Sequence, residues 1–194
     1  MKKPYLYKTC VALLAVLLSA PCWADWTLVG ERSQLNFVTT KANHVAETHG
    51  FDRLSSSVNA EGKVTLTIDL TSVNTKIDIR DERMREMLFE TAKYPTATLT
   101  AQIAPAALAI KAGEQSKVDI AGKLNLHGKT VDVNSTAIVT KLGNGEVSVI
   151  SAGPILLTAN SVGLVEGVEK LREVAGLNTI SYSVAITYAL TYAE

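Results

Sequence analysis

The strongest constraint on the fold is a strict alternation of side-chain types near the C-terminus. From position 179 to 192, large apolar residues alternate with small or hydroxyl-bearing residues. A period of two is typical of a β-strand that buries one face and exposes the other to water. A strand of about 13 to 15 residues is longer than usual and favours a coiled sheet that closes on itself. The large residues are Ile180, Tyr182, Val184, Ile186, Tyr188, Leu190 and Tyr192.

The same alternation recurs along the chain, most clearly at 64–70, where every second residue is apolar. Such strands are typical of antiparallel sheets, and closure of the sheet removes the exposed edges that invite aggregation. The predicted fold class is therefore mainly β, a single antiparallel β-barrel of about eight strands. The other alternating pairs are Leu35 and Phe37, Leu99 and Ile103, Val118 and Ile120, Leu124 and Leu126, Val131 and Val133, and Val147 and Val149.

Two short segments break the period of two and are predicted to be helical. At 81–90, the residues Met84, Met87 and Leu88 are spaced by three and four positions, which places them on one face of a helix. At 166–175 the apolar residues again recur at helical spacing. Two helices among the strands indicate covers over the ends of a barrel, whose interior is either filled with side chains or encloses one apolar ligand.

The N-terminal segment predicts export. Three lysines precede an apolar run at 11–18, and small residues follow up to Ala24. This order is typical of a secretory signal peptide, and the run is too short to span a bilayer. We therefore expect 1–24 to be removed and 25–194 to form one domain, without stable insertion into a membrane.

The composition of the expected mature chain excludes two classes of protein. Both cysteines, Cys10 and Cys22, lie in the expected signal peptide, so no disulfide framework can stabilise the domain. Removal of the three lysines of 1–24 leaves 16 basic residues against 19 acidic ones. A mildly acidic chain without basic blocks is a poor binder of nucleic acid, so we expect no nucleic-acid partner.

The residues indicate no catalytic centre. The mature chain has no cysteine and three histidines, and no nucleophile and base stand in a recognised spacing. His44 and His49, with Glu47 between them, could supply metal ligands from a loop, which leaves a metal enzyme as one hypothesis. Because this spacing is not that of a metal-binding helix, the prediction is a protein without enzyme activity, cofactor or metal.

Other candidate residues have two interpretations each. Arg80 could pair with a carboxylate where a strand ends, or face a polar ligand group at the mouth of the barrel. Tyr182, Tyr188 and Tyr192 share the apolar face of the last strand, and their hydroxyls need partners if they are buried. They could line a pocket or fill the core, and the sequence leaves both open.

Several motifs in one order resemble the YceI family of polyisoprenoid-binding proteins, from about Trp26 to the C-terminus. The resemblance implies an extended, lipocalin-like antiparallel barrel, usually periplasmic, with a long isoprenoid or similar amphiphile in an apolar tunnel. The motifs are Ser-Val-Asn-Thr at 72–75, Arg-Asp-Glu-Arg-Met-Arg at 80–85, Phe89, Tyr-Pro-Thr at 94–96, and Gly-Lys-Leu-Asn-Leu-His-Gly-Lys-Thr at 122–130.

The favoured hypothesis is a periplasmic protein that sequesters or carries an isoprenoid lipid or quinone-like ligand. The alternative is an envelope stress or interaction domain with a packed barrel, which would have an interior filled at native density. The residues do not decide between a monomer and a homodimer. The expected ligand-binding residues are Phe37, Leu66, Ile68, Leu99, Leu124, Tyr182, Val184 and Ile186 in the tunnel, with Arg80 at the mouth.

Overall fold

The computed structural model describes residues 25–107 and 110–194, which form an antiparallel sheet with two short helices. The expected signal peptide lies outside the described residues. No helix within them is long and apolar enough to cross a membrane. The strands are β1 (Trp26–Leu28), β2 (Gln34–Lys41), β3 (Val45–Phe51), β4 (Leu54–Val58), β5 (Lys63–Asp69), β6 (Val73–Asn74), β7 (Thr96–Gln102), β8 (Gln115–Leu126), β9 (Lys129–Lys141), β10 (Val147–Ser151), β11 (Ile155–Thr158) and β12 (Ser183–Ala193). The helices are α1 (Asp78–Arg83), which continues into a π-helical turn (Met84–Leu88), and α2 (Val165–Val174).

The sheet closes into a barrel of eight antiparallel positions. Strand β12 pairs with β1 and β2 on one side and with β10 and β11 on the other. Because β1 and β2, β3 and β4, and β10 and β11 are each one interrupted strand, the ring runs from β1/β2 through β3/β4, β5, β7, β8, β9 and β10/β11 to β12. The predicted fold class is confirmed.

The last strand is shorter than the alternation alone predicts. Strand β12 has 11 residues and starts at Ser183, whereas Ile180 joins the sheet through an isolated bridge to Lys41. The Ser181 hydroxyl explains the break, because it donates to the Ser183 carbonyl oxygen and accepts from the Ser183 N–H, both at 3.1 Å. A side chain that bonds the backbone of a residue two positions along in this way competes with the sheet ladder.

Two apolar clusters occupy the interior. The Phe37 cluster, named for one of its rings, lies under the helices and includes Leu66, Met84 and Val168. The Trp26 cluster consists of Trp26, Val58, Ala137, Val139, Val147, Leu190 and Tyr192, all of them buried. Burial of a large apolar side chain contributes about 1.5 to 3 kcal/mol, so these two clusters hold the closed sheet in place.

The first helix differs from its prediction over 81–90. It begins at Asp78, and its second half winds as a π turn in which the Phe89 N–H donates to the Met84 carbonyl oxygen at 2.9 Å. The wider turn changes which residues face inward. Met84, Leu88 and Phe89 are buried, whereas Met87, expected on the same face, is partly exposed.

The second helix packs closely on that π turn. A Cβ atom at Gly167 of α2 would lie 2.7 Å from the Met87 carbonyl oxygen and 2.8 Å from the Leu88 Cα. Real Cβ contacts are not this short, so the close approach requires glycine. The bounds of α2 agree with the predicted 166–175 within one residue, and Gly176 follows it with a φ of 62°. The two helices form one cover over the barrel.

Candidate ligand-binding site

The barrel encloses a cavity of about 520 Å³, within the size range of small-molecule sites. Every one of the eight barrel positions contributes to its wall, and the two helices complete it. The lining is almost entirely apolar. The nine residues expected to bind a ligand all lie on this wall, namely Phe37, Leu66, Ile68, Arg80, Leu99, Leu124, Tyr182, Val184 and Ile186. That they contact a ligand stays a prediction.

The wall is not packed as a core. Leu99, Leu124, Val184 and Ile186 lie on the cavity side of their strands, yet each remains partly accessible. In an interior filled at native density, such side chains would be covered by their neighbours. The cavity therefore favours a binding protein over the packed-barrel alternative.

The tyrosine hydroxyls near the Trp26 cluster are satisfied within the chain. The Tyr188 hydroxyl lies 2.9 Å from the Ser135 Oγ, and the Tyr192 hydroxyl lies 2.8 Å from the Ser56 Oγ. Burial raises the pKa of both tyrosines. Tyr188 and Tyr192 line the cavity and also pack in or against the Trp26 cluster, so both interpretations hold for these two of the three tyrosines.

The mouth of the cavity lies between the two helices. Residues that line the cavity and are also open to solvent mark this opening, and they include Ile77 just before α1, Ile79 within α1 and Val174 at the end of α2. Tyr182 stands at the same opening, 39% exposed, and its hydroxyl donates to the Glu169 Oε1 at 2.8 Å. The apolar rim gives a long ligand a path from water into the barrel.

Four charged residues lie on the cavity wall, Lys41, Glu47, Arg80 and Arg83, and we call them the charged cluster. The Glu47 carboxylate lies 2.6 Å from the Lys41 Nζ and 3.0 Å from the Arg80 Nη1. The hydrogen bond from Lys41, followed by that from Arg80, holds the pKa of Glu47 below its usual value. Glu47 therefore stays ionised at neutral pH.

Arg80 pairs with a carboxylate and also lies on the cavity wall, whereas its contact with a ligand group stays a prediction. It pairs with Glu47, its Nη2 donates to the Thr75 carbonyl oxygen at 2.7 Å, and it also lines the cavity. Its neighbour Asp81 is buried and accepts a hydrogen bond from the Thr75 N–H at 2.8 Å, which fixes the start of the helix. The buried Arg80 Nε has no partner among residues 25–107 and 110–194.

His49 lies beside the charged cluster and is 5% exposed. Its Nε2 is 3.0 Å from the Thr39 Oγ1, and its ring meets that of Phe37 edge to face with centroids 5.4 Å apart. Burial, with the charge of Arg80 as the next cause, lowers the pKa of His49, so the ring is neutral at pH 7. Its buried Nδ1 has no partner within the described chain.

The metal hypothesis needs His44, His49 and Glu47 together, and the structure does not provide that arrangement. His44 is exposed in the turn between β2 and β3, whereas His49 points into the barrel. Across the part of the chain that the structure describes, no three metal-binding side chains are grouped. Glu47 instead pairs with two cations.

Sequence reasoning missed part of the mouth, although a signal existed. Thr39 and Lys41 continue the alternation of Leu35 and Phe37 along β2, so their inward direction follows from the same period of two. Arg83 lies three positions after Arg80, which is one helical turn along the same face. The alternation was followed only through apolar residues, and the polar inward residues were therefore not predicted.

Comparison with known proteins gives one family and several related structures. A model of the YceI-like domain matches residues 26–192. The structure of a polyisoprenoid binding domain from Saccharophagus degradans, implicated in plant cell wall breakdown, is 41% identical, covers 86% of this chain and 97% of that chain, and superposes with a TM-score of 0.84. No curated protein matches.

Two more distant structures share the fold alone. BcnA from Burkholderia cenocepacia is 21% identical, with a TM-score of 0.67 over 84% of this chain and 98% of that chain. The Campylobacter jejuni YCEI protein is 17% identical, with a TM-score of 0.52 over 75% of this chain and 84% of that chain. At these identities the likeness extends to the barrel and not to what it holds.

Proposed function

The chain belongs to the YceI-like domain family, and from that premise we propose that it binds the apolar tail of an isoprenoid lipid or quinone-like amphiphile inside its barrel. The observation that carries this proposal is the apolar cavity of about 520 Å³ with a mouth between the helices. Each CH₂ group moved from water into such a wall gains about 0.8 kcal/mol. The isoprenoid class is favoured by the 41% identical polyisoprenoid binding domain.

The protein acts as a carrier or reservoir and not as an enzyme. Its mouth presents cations, a carboxylate and a neutral histidine. The Thr39 hydroxyl lies 3.0 Å from the His49 Nε2, but the His49 Nδ1 has no partner in the described chain that would orient the ring as a base for covalent catalysis. We place it in the periplasm, on the strength of the signal-like segment 1–24. Cell fractionation should recover it there, and sequencing of its N-terminus should begin at Asp25. Recovery of the uncleaved chain from the cytoplasm would contradict the location.

The binding proposal is tested by the lipid that the protein carries. The full chain is expressed, purified without detergent and denatured, and its lipids are identified by mass spectrometry. We expect an isoprenoid lipid in stoichiometric amount. An empty protein that also takes up no added polyprenyl chain would overturn the proposal.

A pair of variants on β8 sharpens this test. Leu124→Trp places a large ring on the cavity wall, whereas Lys123→Trp places the same ring on the opposite, exposed face of the strand. We expect the first variant to lose most of its bound lipid and the second to keep it, with both proteins folded by circular dichroism. Equal lipid content in the two folded variants would mean that the lipid does not occupy the cavity.

A further inference from the structure

The charges of the mouth do not balance. Lys41, Arg80 and Arg83 carry three positive charges on the cavity wall, and Glu47 carries one negative charge. His49 adds none, because burial lowers its pKa. The carboxylate of Asp81 lines a separate surface depression and is held by Thr75. The side chains that line the cavity thus carry two more positive charges than negative ones, and the nearby Asp81 carboxylate reduces this excess to one positive charge.

We propose that the charged cluster binds the phosphate head group of a prenyl lipid, with Arg83 as its main anchor. This inference rests on the proposed function, since it names the head of the ligand whose tail fills the barrel. A phosphate monoester carries about 1.5 to 2 negative charges near pH 7, which is enough to neutralise the positive excess of the charged cluster.

Arg83 is the residue best placed to receive an anion. Its guanidinium makes no hydrogen bond or ion pair with any described residue, in contrast to Arg80, which contacts Glu47 and Thr75. A guanidinium presents its donors as a planar fork that can bind two phosphate oxygens at once. Arg83 therefore keeps its full hydrogen-bonding capacity for a ligand.

Two further polar atoms at the same place lack partners within the described chain. The Arg80 Nε and the His49 Nδ1 are both buried, and His49 is more than nine-tenths buried. Most buried polar atoms in proteins have a partner, so each such exception asks for an explanation. A ligand head that draws the side chains of the mouth toward itself would supply one.

A neutral head group fits this environment less well. A quinone carbonyl can accept a hydrogen bond from Arg83, but it leaves the excess charge in place. As the tail fills the cavity and displaces water, uncompensated charge beside it becomes more costly. The mouth therefore favours an anionic ligand over a neutral one with the same tail.

The test compares ligands that share one tail. The full mature chain, freed of lipid, is titrated with geranylgeranyl monophosphate, with geranylgeraniol and with geranylgeranoic acid. Trp26 is the one tryptophan of 25–194 and lines the cavity, so its fluorescence reports filling. We expect the phosphate to bind about tenfold to hundredfold more tightly than the alcohol, as for a hydrogen-bonded charge pair.

Arg83→Gln should remove most of that preference, because it weakens binding of the phosphate far more than binding of the alcohol. Arg85→Gln is the matched control. It removes the same charge two residues away, but Arg85 lines the separate surface depression. It should keep the preference. If the original protein does not prefer the phosphate to the alcohol, the inference is overturned. It is also overturned if the Arg83 variant keeps the preference unchanged.

The remaining outcomes separate the two proposals. If the acid binds as tightly as the phosphate, the assignment of the head group to phosphate is overturned. If the alcohol binds well and the phosphate no better, the inference about the head fails while the barrel keeps its proposed function. If none of the three probes binds, the proposed function itself fails.

Discussion

The polar side chains of the barrel interior differ in their hydrogen-bond partners between its two ends. Beside the Trp26 cluster, the hydroxyls of Tyr188 and Tyr192 each have a serine partner from another strand. At the charged cluster, the buried Nε of Arg80 and Nδ1 of His49 have no partner in the described chain. A buried polar atom without a partner costs about 1 to 3 kcal/mol. The two tyrosine hydroxyls of the first end are therefore satisfied as folded, although the buried Ser116 Oγ opposite Val139 has no partner in the described chain, whereas the second end would be completed by the proposed ligand.

The largest effect that tests this contrast is on packing. Leu190→Ala removes a buried side chain from the Trp26 cluster and should lower the free energy of unfolding by about 2 to 5 kcal/mol. Leu99→Ala, on the partly accessible cavity wall, removes fewer contacts and should cost about 1 to 2 kcal/mol. Urea denaturation measures both variants. Equal losses would mean that the cavity wall is packed as tightly as the Trp26 cluster.

A second effect depends on pH. Because the folded state lowers the pKa of His49, the unfolded chain binds more protons between that lowered value and about 6.5. The contribution of neutral His49 is complete above about pH 6.5 and is lost as the pH falls through the folded pKa, by at most about 1.4 kcal/mol per pH unit. Urea denaturation at several pH values should show that His49→Gln loses less of its free energy of unfolding in acid than the original protein does. The exposed His44→Gln is the control and should retain the full loss.

A third effect is the loss of one hydroxyl. Tyr192→Phe leaves the ring in place but removes the partner of the Ser56 Oγ, and we expect a loss of about 1 kcal/mol in the free energy of unfolding. In the Tyr192→Phe variant, Ser56→Ala should lower the free energy of unfolding by less than it does in the original protein, because the two hydroxyls satisfy each other. Additive losses in this double-mutant cycle would argue against the bond.

The smallest effect is expected at the mouth. Arg83→Gln should change the free energy of unfolding by no more than about 0.5 kcal/mol, since Arg83 has no partner in the described chain and is partly exposed. Thermal denaturation of the lipid-free variant measures this. A loss as large as that of Tyr192→Phe would show that Arg83 supports the fold and is not reserved for a ligand.

Sequence periodicity predicted the barrel because a period of two fixes the direction of each side chain without knowledge of its neighbours. Phe37, Leu66 and Val184 could be placed on the inner face in this way. The π turn could not be predicted, because spacings of three and four residues suit a regular helix equally well. The pair of Glu47 and Arg80 spans 33 residues, and that contact depends on how β3 meets the first helix.

The contact at Gly167 has a kinetic consequence. Because the backbone of α2 rests directly on that of the π turn, the two cannot slide past each other in small steps. Opening of the mouth should therefore be one cooperative event in which both segments separate from the barrel together. Amide hydrogen exchange should then show a common opening rate for 84–89 and 165–174, and release of a long lipid can proceed no faster than that rate if the mouth must widen for its passage.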